Sequence, residues 1–231
     1  MPRTLNPVAH AIKRDAFLDV GERLIRTQGY EQMTVQDVLD DLGTSKGAFY
    51  HYFDSKAALL AAVIERMVET ATGTVEPLAA DPQMSAVKKL EGVFSGIAQW
   101  KGERPELQPE VLPELLRTWF SDENTIVREQ LRRSTAVRLT PLLVGIVRQG
   151  QAEGTFSASS AEGAAGVLLV LILGLNETGT ELFLARQANT ISFEEVESRL
   201  GAYVEALERV LGLPAASLAI GDQAALRQWF D

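Results

Sequence analysis

Residues 34–53 read TVQDVLDDLGTSKGAFYHYF, two short helices joined by a tight turn. Thr34 can cap the first helix, Val35, Val38, Leu39 and Leu42 recur at helical spacing, and Gly43 offers the left-handed stop that ends it. Ser45 can cap the second helix, where Phe49 and Phe53 lie one turn apart on an inward face. The opposite face carries Lys46, Gly47, Tyr50 and His51. A short helix that is anchored by two aromatics and displays a cation, a bare glycine, a phenol and an imidazole suits a DNA major groove. The stretch therefore reads as a helix-turn-helix, with 45–52 as its recognition helix.

Upstream, 9–28 forms a helix whose Phe17, Val20, Gly21, Leu24 and Ile25 make one apolar stripe, ended by Gly29. Gly21 on that stripe predicts close approach of another helix. Residues 1–7 are polar, carry two prolines and read as a terminal arm. Downstream, Asp54 or Ser55 caps a helix over 56–72, whose broad stripe Leu59, Leu60, Val63, Ile64, Met67 and Val68 makes it a connecting rod. Pro77 and the 79–82 segment then break the pattern. Further helices are expected over 85–101, 106–120, 124–153, 161–187 and 193–211, with a short one near 222–230. Pro141 should kink or split the long one, and Gly154 should stop it. No alternating β-branched run flanked by hairpin turns is visible. The fold class expected is all-α: a helix-turn-helix domain at 1–55 and a larger helical effector-binding and dimerisation body at 56–231.

The run GTSKGAFYHYFDSKAALL at 43–60, preceded by RTQGYEQMTVQDVLDDL at 26–42, resembles the DNA-binding domain of TetR-type transcriptional regulators. The resemblance covers roughly residues 10 to 65 and rests on the Gly29-Tyr30 pair, the capping threonine, the turn glycine, the Phe-Tyr-His-Tyr-Phe run and Lys56. It implies that Lys46, Tyr50, His51 and Lys56 contact phosphates or bases and that Thr34 and Thr44 add phosphate contacts. The residues themselves agree with this. Lys46 offers a mobile charge, while Gly47 and Ala48 let the backbone approach the groove. Ser45 completes the candidate DNA-binding set. Ser55 and Lys56 open a helix whose N-terminus favours anions.

Composition pulls the other way. The chain has 231 residues, with 22 Lys plus Arg against 31 Asp plus Glu, a net charge of −9. Residues 1–53 hold six basic and seven acidic side chains, so even the head lacks the basic excess of a DNA binder. DNA affinity must then be local: Lys46 and Lys56, with Arg3, Lys13 and Arg14, facing phosphate while Asp37, Asp40 and Asp41 point away. Low background affinity and marked salt sensitivity are expected. There is no cysteine and there are only two histidines, His10 and His51. Thiol catalysis and histidine-rich metal centres are thereby excluded, no cofactor or metal is expected, and no G-x-S-x-G elbow points to an enzyme. The N-terminus shows no secretory signal, and the apolar run at 167–173 is well short of the ~20 residues that span a bilayer. The expectation is a cytoplasmic protein with no membrane partner.

The stretch 161–184 is apolar nearly all round, with Gly163, Gly166, Gly174 and Gly179 spaced through it, so it needs burial on more than one side. With the stripe Val196, Leu200, Tyr203, Val204 and Leu207 it predicts a four-helix homodimer interface. The family resemblance implies the same geometry. A candidate effector site is drawn from the bulky Phe94, Trp100, Trp119 and Phe120 and the polar Arg117, Gln130, Arg138, Asn176, Glu177 and Thr180. Together these give a ligand-responsive regulator of a palindromic double-stranded operator, read as a repressor released by a small-molecule effector. The alternative is a helical binding or scaffold protein with weak or no DNA affinity, favoured by the acidic balance.

Overall fold

The computed structural model describes residues 7–73, 75–102, 112–219, 226, 227 and 230, with side chains described except at 95–102 and 112. Ten α-helices and one 3-10 turn make up the described residues, and none of these forms a strand. The all-α expectation holds. In order they are α1 (Pro7–Gln28), α2 (Val35–Asp41), α3 (Lys46–Tyr52), α4 (Lys56–Thr72), α5 (Val75–Ala80) and α6 (Ala86–Gly102), then α7 (Leu112–Phe120), the turn Asp122–Asn124, α8 (Thr125–Ala152), α9 (Ala161–Gln187) and α10 (Phe193–Leu211).

The chain forms two compact units that interleave in sequence. The first takes Met1–Glu69 and Glu114–Ser134, the second Thr70–Pro113 and Thr135–Asp231. The packing thus follows no single cut at 55/56: most of α4 and a returning segment around the α7–α8 turn pack with the helix-turn-helix.

The first unit is built on α1, whose Phe17, Leu18, Leu24 and Ile25 are buried with Val38 and Leu39 of α2, Phe49 of α3 and Leu59, Leu60, Val63 and Ile64 of α4. Each such fully buried side chain contributes roughly 1.5–3 kcal/mol. Gly21 is the close approach the stripe predicted: a Cβ there would stand 3.2 Å from Leu59 Cδ2 and 3.4 Å from Val63 Cγ2. Val127 of α8 is wholly buried in the same core, with Trp119 and Leu131 packed on it.

In the second unit, Leu90 and Val93 of α6, Leu143, Ile146 and Val147 of α8, Ala165, Leu168 and Ile172 of α9, and Leu207 and Leu211 of α10 share one core. Ser160 and Ser192 cap α9 and α10 by accepting from the Gly163 and Glu195 amides. The two helices pack against each other, and the Thr178 and Tyr203 hydroxyls bond at 2.8 Å. By length and composition α9 could cross a membrane. One of its faces is nevertheless held in the protein core, while Val167 and Val170 on another stand 47% and 68% exposed.

Two expectations need correction. The break at Pro77 is instead the first turn of α5, where the missing proline N–H has no intrahelical partner to lose. Pro141 does not split α8, which runs unbroken for 28 residues. Its ring deprives only the Val137 carbonyl of a helical donor, and both side chains lie on the exposed face, where water can serve instead. Gly154 does end the segment, at φ +72°. The helix expected at 106–120 is described from Leu112, and 103–111 lie outside the described residues, as does most of the segment expected at 222–230.

Candidate nucleic-acid interface and effector site

The helix-turn-helix is fixed at each end by its own side chains. Thr34 Oγ1 accepts from the Asp37 amide at 3.1 Å, and Asp37 Oδ2 accepts from the Thr34 amide at 2.8 Å, a closed capping box. These bonds hold the Asp37 carboxyl below its ordinary pKa. At the far end of α2, Thr44 N–H donates to Leu39 O and Gly43 N–H to Asp40 O, with Gly43 at φ +54°. That double bond is the Schellman ending the glycine predicts. It sets the angle at which Ser45 starts α3, accepting from Ala48 N–H.

On α3 the inward face is aromatic. Phe49 is fully buried, its ring 5.7 Å from Phe17 and 5.8 Å from Phe53. Lys46, Gly47, Tyr50 and His51 are exposed, while Ala48 is half-buried. Lys46 Nζ lies 5.9 Å from the Tyr50 ring centroid, so its charge stays at the surface beside the phenol. The two histidines of the chain meet here. His10 of α1 has its ring 5.6 Å from His51 and 4.6 Å from Tyr52.

Much of the acidic charge in this unit is already engaged. Asp41 pairs with Arg23, Glu22 with Arg26, and Arg66 bridges Asp19 and Glu22. Asp37 is in the capping box and Asp40 accepts from Gln36. The ion pairs take up arginines and carboxylates alike, so the near-neutral balance of the head is unchanged and any attraction to phosphate rests on the cations outside them. Lys56 rests against the loop that precedes α2. Its Nζ sits 4.2 Å over the Tyr30 ring and donates to Glu31 O at 3.4 Å. Of the flanking cations, Arg14 stacks over Phe53 at 5.7 Å, Lys13 is exposed, and Arg3 lies outside the described residues.

The family description "Bacterial regulatory proteins, tetR family" matches residues 17–63, which hold α2 and α3 with the second half of α1 and the first half of α4. Residues 17–63 thus form a TetR-family DNA-binding domain. Relatives of the chain include the transcriptional regulator EthR of Mycolicibacterium smegmatis, 25% identical over 55% of this chain and 65% of that one. TtgR of Pseudomonas putida is 28% identical over 64% of this chain and 72% of the relative. The chain thus spans just under two thirds of EthR, and other relatives match over shorter stretches, as does NemR of Escherichia coli at 40% identity over 53 residues. Among solved structures, SmeT, the repressor of the Stenotrophomonas maltophilia efflux pump SmeDEF, superposes with a TM-score of 0.61 over 90% of this chain and 94% of its own, at 19% identity. At that identity the likeness speaks for the fold.

The ten residues considered for an effector site divide between the TetR-type head unit and the second unit. Arg117, Trp119, Phe120 and Gln130 belong to the first; Phe94, Trp100, Arg138, Asn176, Glu177 and Thr180 to the second. Trp119 packs on the head core, and the Arg128 guanidinium lies 5.6 Å over the Phe120 ring. Arg138 pairs with Glu76 at 3.0 Å. Asn176 Nδ2 donates to Ile172 O and Thr180 Oγ1 to Asn176 O, both within α9, while Glu177 is exposed. Phe94 packs partly buried on the second core, and the Trp100 side chain lies outside the described set.

Sequence reasoning overlooked the returning segment. Asn124 looked like the start of a helix, yet it is fully buried in the head and bonded to residues nearly a hundred positions away. Local spacing carries no signal for such a partner.

Proposed function

We propose that this protein is a homodimeric, ligand-responsive transcriptional regulator, and that it represses by occupying a palindromic operator in the cytoplasm. One observation carries the reading: a helix locked from behind by Phe49 and Phe53 while Lys46, Gly47, Tyr50 and His51 stand exposed on its outer face. The names of relatives described as transcriptional repressors, DhaR and KstR2 among them, support the repressor assignment. In this reading Thr34, Thr44, Ser45, Lys46, Gly47, Ala48, Tyr50, His51 and Lys56 form the DNA-contacting set. Two heads on a two-fold axis read half-sites about one helical turn apart.

The exposed Val167 and Val170 face of α9, with α10 beside it, is the proposed dimer seam. An effector bound in the second unit acts by differential affinity for two states. Three chain crossings join that unit to the head: within α4 after Glu69, before Glu114, and within α8 after Ser134. A coupling of ~1–3 kcal/mol releases operator roughly 5- to 150-fold, and operator weakens effector binding by the same factor.

The experiment is selection of duplexes from a random pool by the purified protein, repeated with Lys46→Ala and Tyr50→Ala. An inverted repeat that wild type binds and both variants lose supports the regulator. Wild type enriching no sequence at low salt would transfer the assignment to a helical scaffold, and variants that bind as well as wild type would remove Lys46 and Tyr50 from the DNA-contacting set.

A further inference from the structure

The turn at 121–124 reaches the head through a buried carboxamide. Asn124 has no exposed surface, and a buried amide must find both donors and acceptors. Its Oδ1 accepts from Tyr30 N–H at 2.9 Å, and its Nδ2 donates to Ile25 O and Thr118 O, each at 3.0 Å. One side chain thus ties the end of α1, the α1–α2 loop and the end of α7. The next loop amide, Glu31 N–H, donates to Glu123 O at 3.0 Å. Gly29 shows how closely loop and turn meet: at φ +85°, a Cβ on it would stand 2.7 Å from Glu123 Cβ. The turn itself is braced by Arg128, whose Nη1 donates to Trp119 O at 2.7 Å and Ser121 O at 2.8 Å.

The loop so held does two things for the DNA face. It delivers the chain to Thr34, whose capping box starts α2, and it carries the Tyr30 ring and Glu31 carbonyl on which Lys56 rests. We infer that Asn124 is a positioning residue for operator recognition, latching the Tyr30–Glu31 loop so that α2, α3 and Lys56 are held in their DNA-reading arrangement. This rests on the regulator reading above. No other common side chain of this size combines the needed donor pair and acceptor. An ionised aspartate would turn a carboxylate toward two carbonyl oxygens, whereas a protonated one restores a donor beside an acceptor. The titratable and charged groups of this corner are Tyr30, Glu31 and Lys56 on one side and Glu123 and Arg128 on the other.

The test compares full-length wild type with Asn124→Ala and Asn124→Asp by amide hydrogen exchange and by affinity for duplexes that wild type selects from a random pool. In Asn124→Ala the Tyr30 and Glu31 amides should exchange faster while those of α9 and α10 keep wild-type protection, and operator affinity should drop about tenfold. Asn124→Asp should be as weak as the alanine variant at pH 7.5 and recover toward wild type, measured at the same pH, as pH falls to 5. Faster exchange with unchanged operator affinity would reduce Asn124 to a structural bond, and unchanged exchange, or no recovery of the aspartate variant, would remove the latch. Should Asn124→Ala not fold, Arg128→Lys loosens the same turn and must give the same two changes in smaller measure. If wild type selects no duplex, the regulator reading fails, while the exchange data still decide whether the latch holds the loop.

Discussion

Lys56 rests its ammonium 4.2 Å over the ring of Tyr30 and 3.4 Å from the carbonyl of Glu31, so the cation expected at phosphate is parked on the loop that precedes α2. Burial, and then the neighbouring Glu31 charge, raise the pKa of the Tyr30 phenol, which keeps the ring neutral beneath the ammonium. A cation over a partly exposed ring contributes about 0.5–1 kcal/mol. Lys56→Met and Tyr30→Leu, singly and together, should therefore show a coupling of that size in unfolding free energy. Lys56→Met should also flatten the dependence of log operator affinity on log salt by about 0.9, the contribution of one phosphate. A slope equal to wild type removes Lys56 from the phosphate contacts.

Gly47 separates the demands of folding from those of reading. It is exposed in the first turn of α3, and a Cβ built on it meets nothing nearer than Ser45 Oγ at 3.9 Å. Leucine at this position should leave stability unchanged or raise it by up to about 0.8 kcal/mol, because glycine is the poorer helix former. If the backbone of α3 approaches the groove here, Gly47→Leu should abolish operator binding all the same. Calorimetry and a binding titration on one sample decide it: retained affinity in a protein of normal melting temperature means that this face does not enter the groove.

The head was legible because its determinants are local. Thr34, Gly43 and Ser45 specify caps within four residues of themselves, and the Phe49–Phe53 spacing fixes which face turns inward. The second unit was legible only as helices. Whether Pro77 breaks a helix or begins one depends on what its first turn packs against, and Pro141 survives because the carbonyl it orphans lies on an exposed face. The return of residues 114–134 to the head rests on Val127 being buried in the head core and Asn124 finding carbonyls from another part of the chain. Neither choice leaves a periodic trace. The effector residues were picked for chemistry on helices whose neighbours were unknown, and they fall in both units.

The capping box makes the head sensitive to acid in a defined direction. Asp37 has its pKa lowered first by the Thr34 backbone bond and then by the Thr34 hydroxyl, with the Gln28 amide adding to them. A carboxyl whose folded pKa lies below its unfolded value contributes stability that is complete above the ordinary carboxylate range and disappears as pH falls through the depressed value. Asp37→Asn should accordingly be less stable than wild type at pH 7, and the gap should close as pH falls below the ordinary carboxylate value of about 4. Parallel denaturant titrations across that range provide the check; a gap independent of pH would mean that the stabilising charge belongs to another group.

Val170 is 68% exposed on α9, and Val167, one turn earlier, is 47% exposed, on a helix whose other side is packed into the second core. In an isolated subunit these valines face water, so glutamate there should change monomer stability by no more than about 0.5 kcal/mol. In a dimer sealed by α9 and α10, two copies of each glutamate meet near the axis. Removing apolar contact and burying unpaired like charges both oppose association. Val167→Glu with Val170→Glu should therefore sediment as a monomer with wild-type helicity. It should bind a single half-site weakly and lose the affinity that spanning two half-sites confers. A dimer that survives both substitutions would place the seam on another surface, and the operator symmetry would then have to follow from that surface.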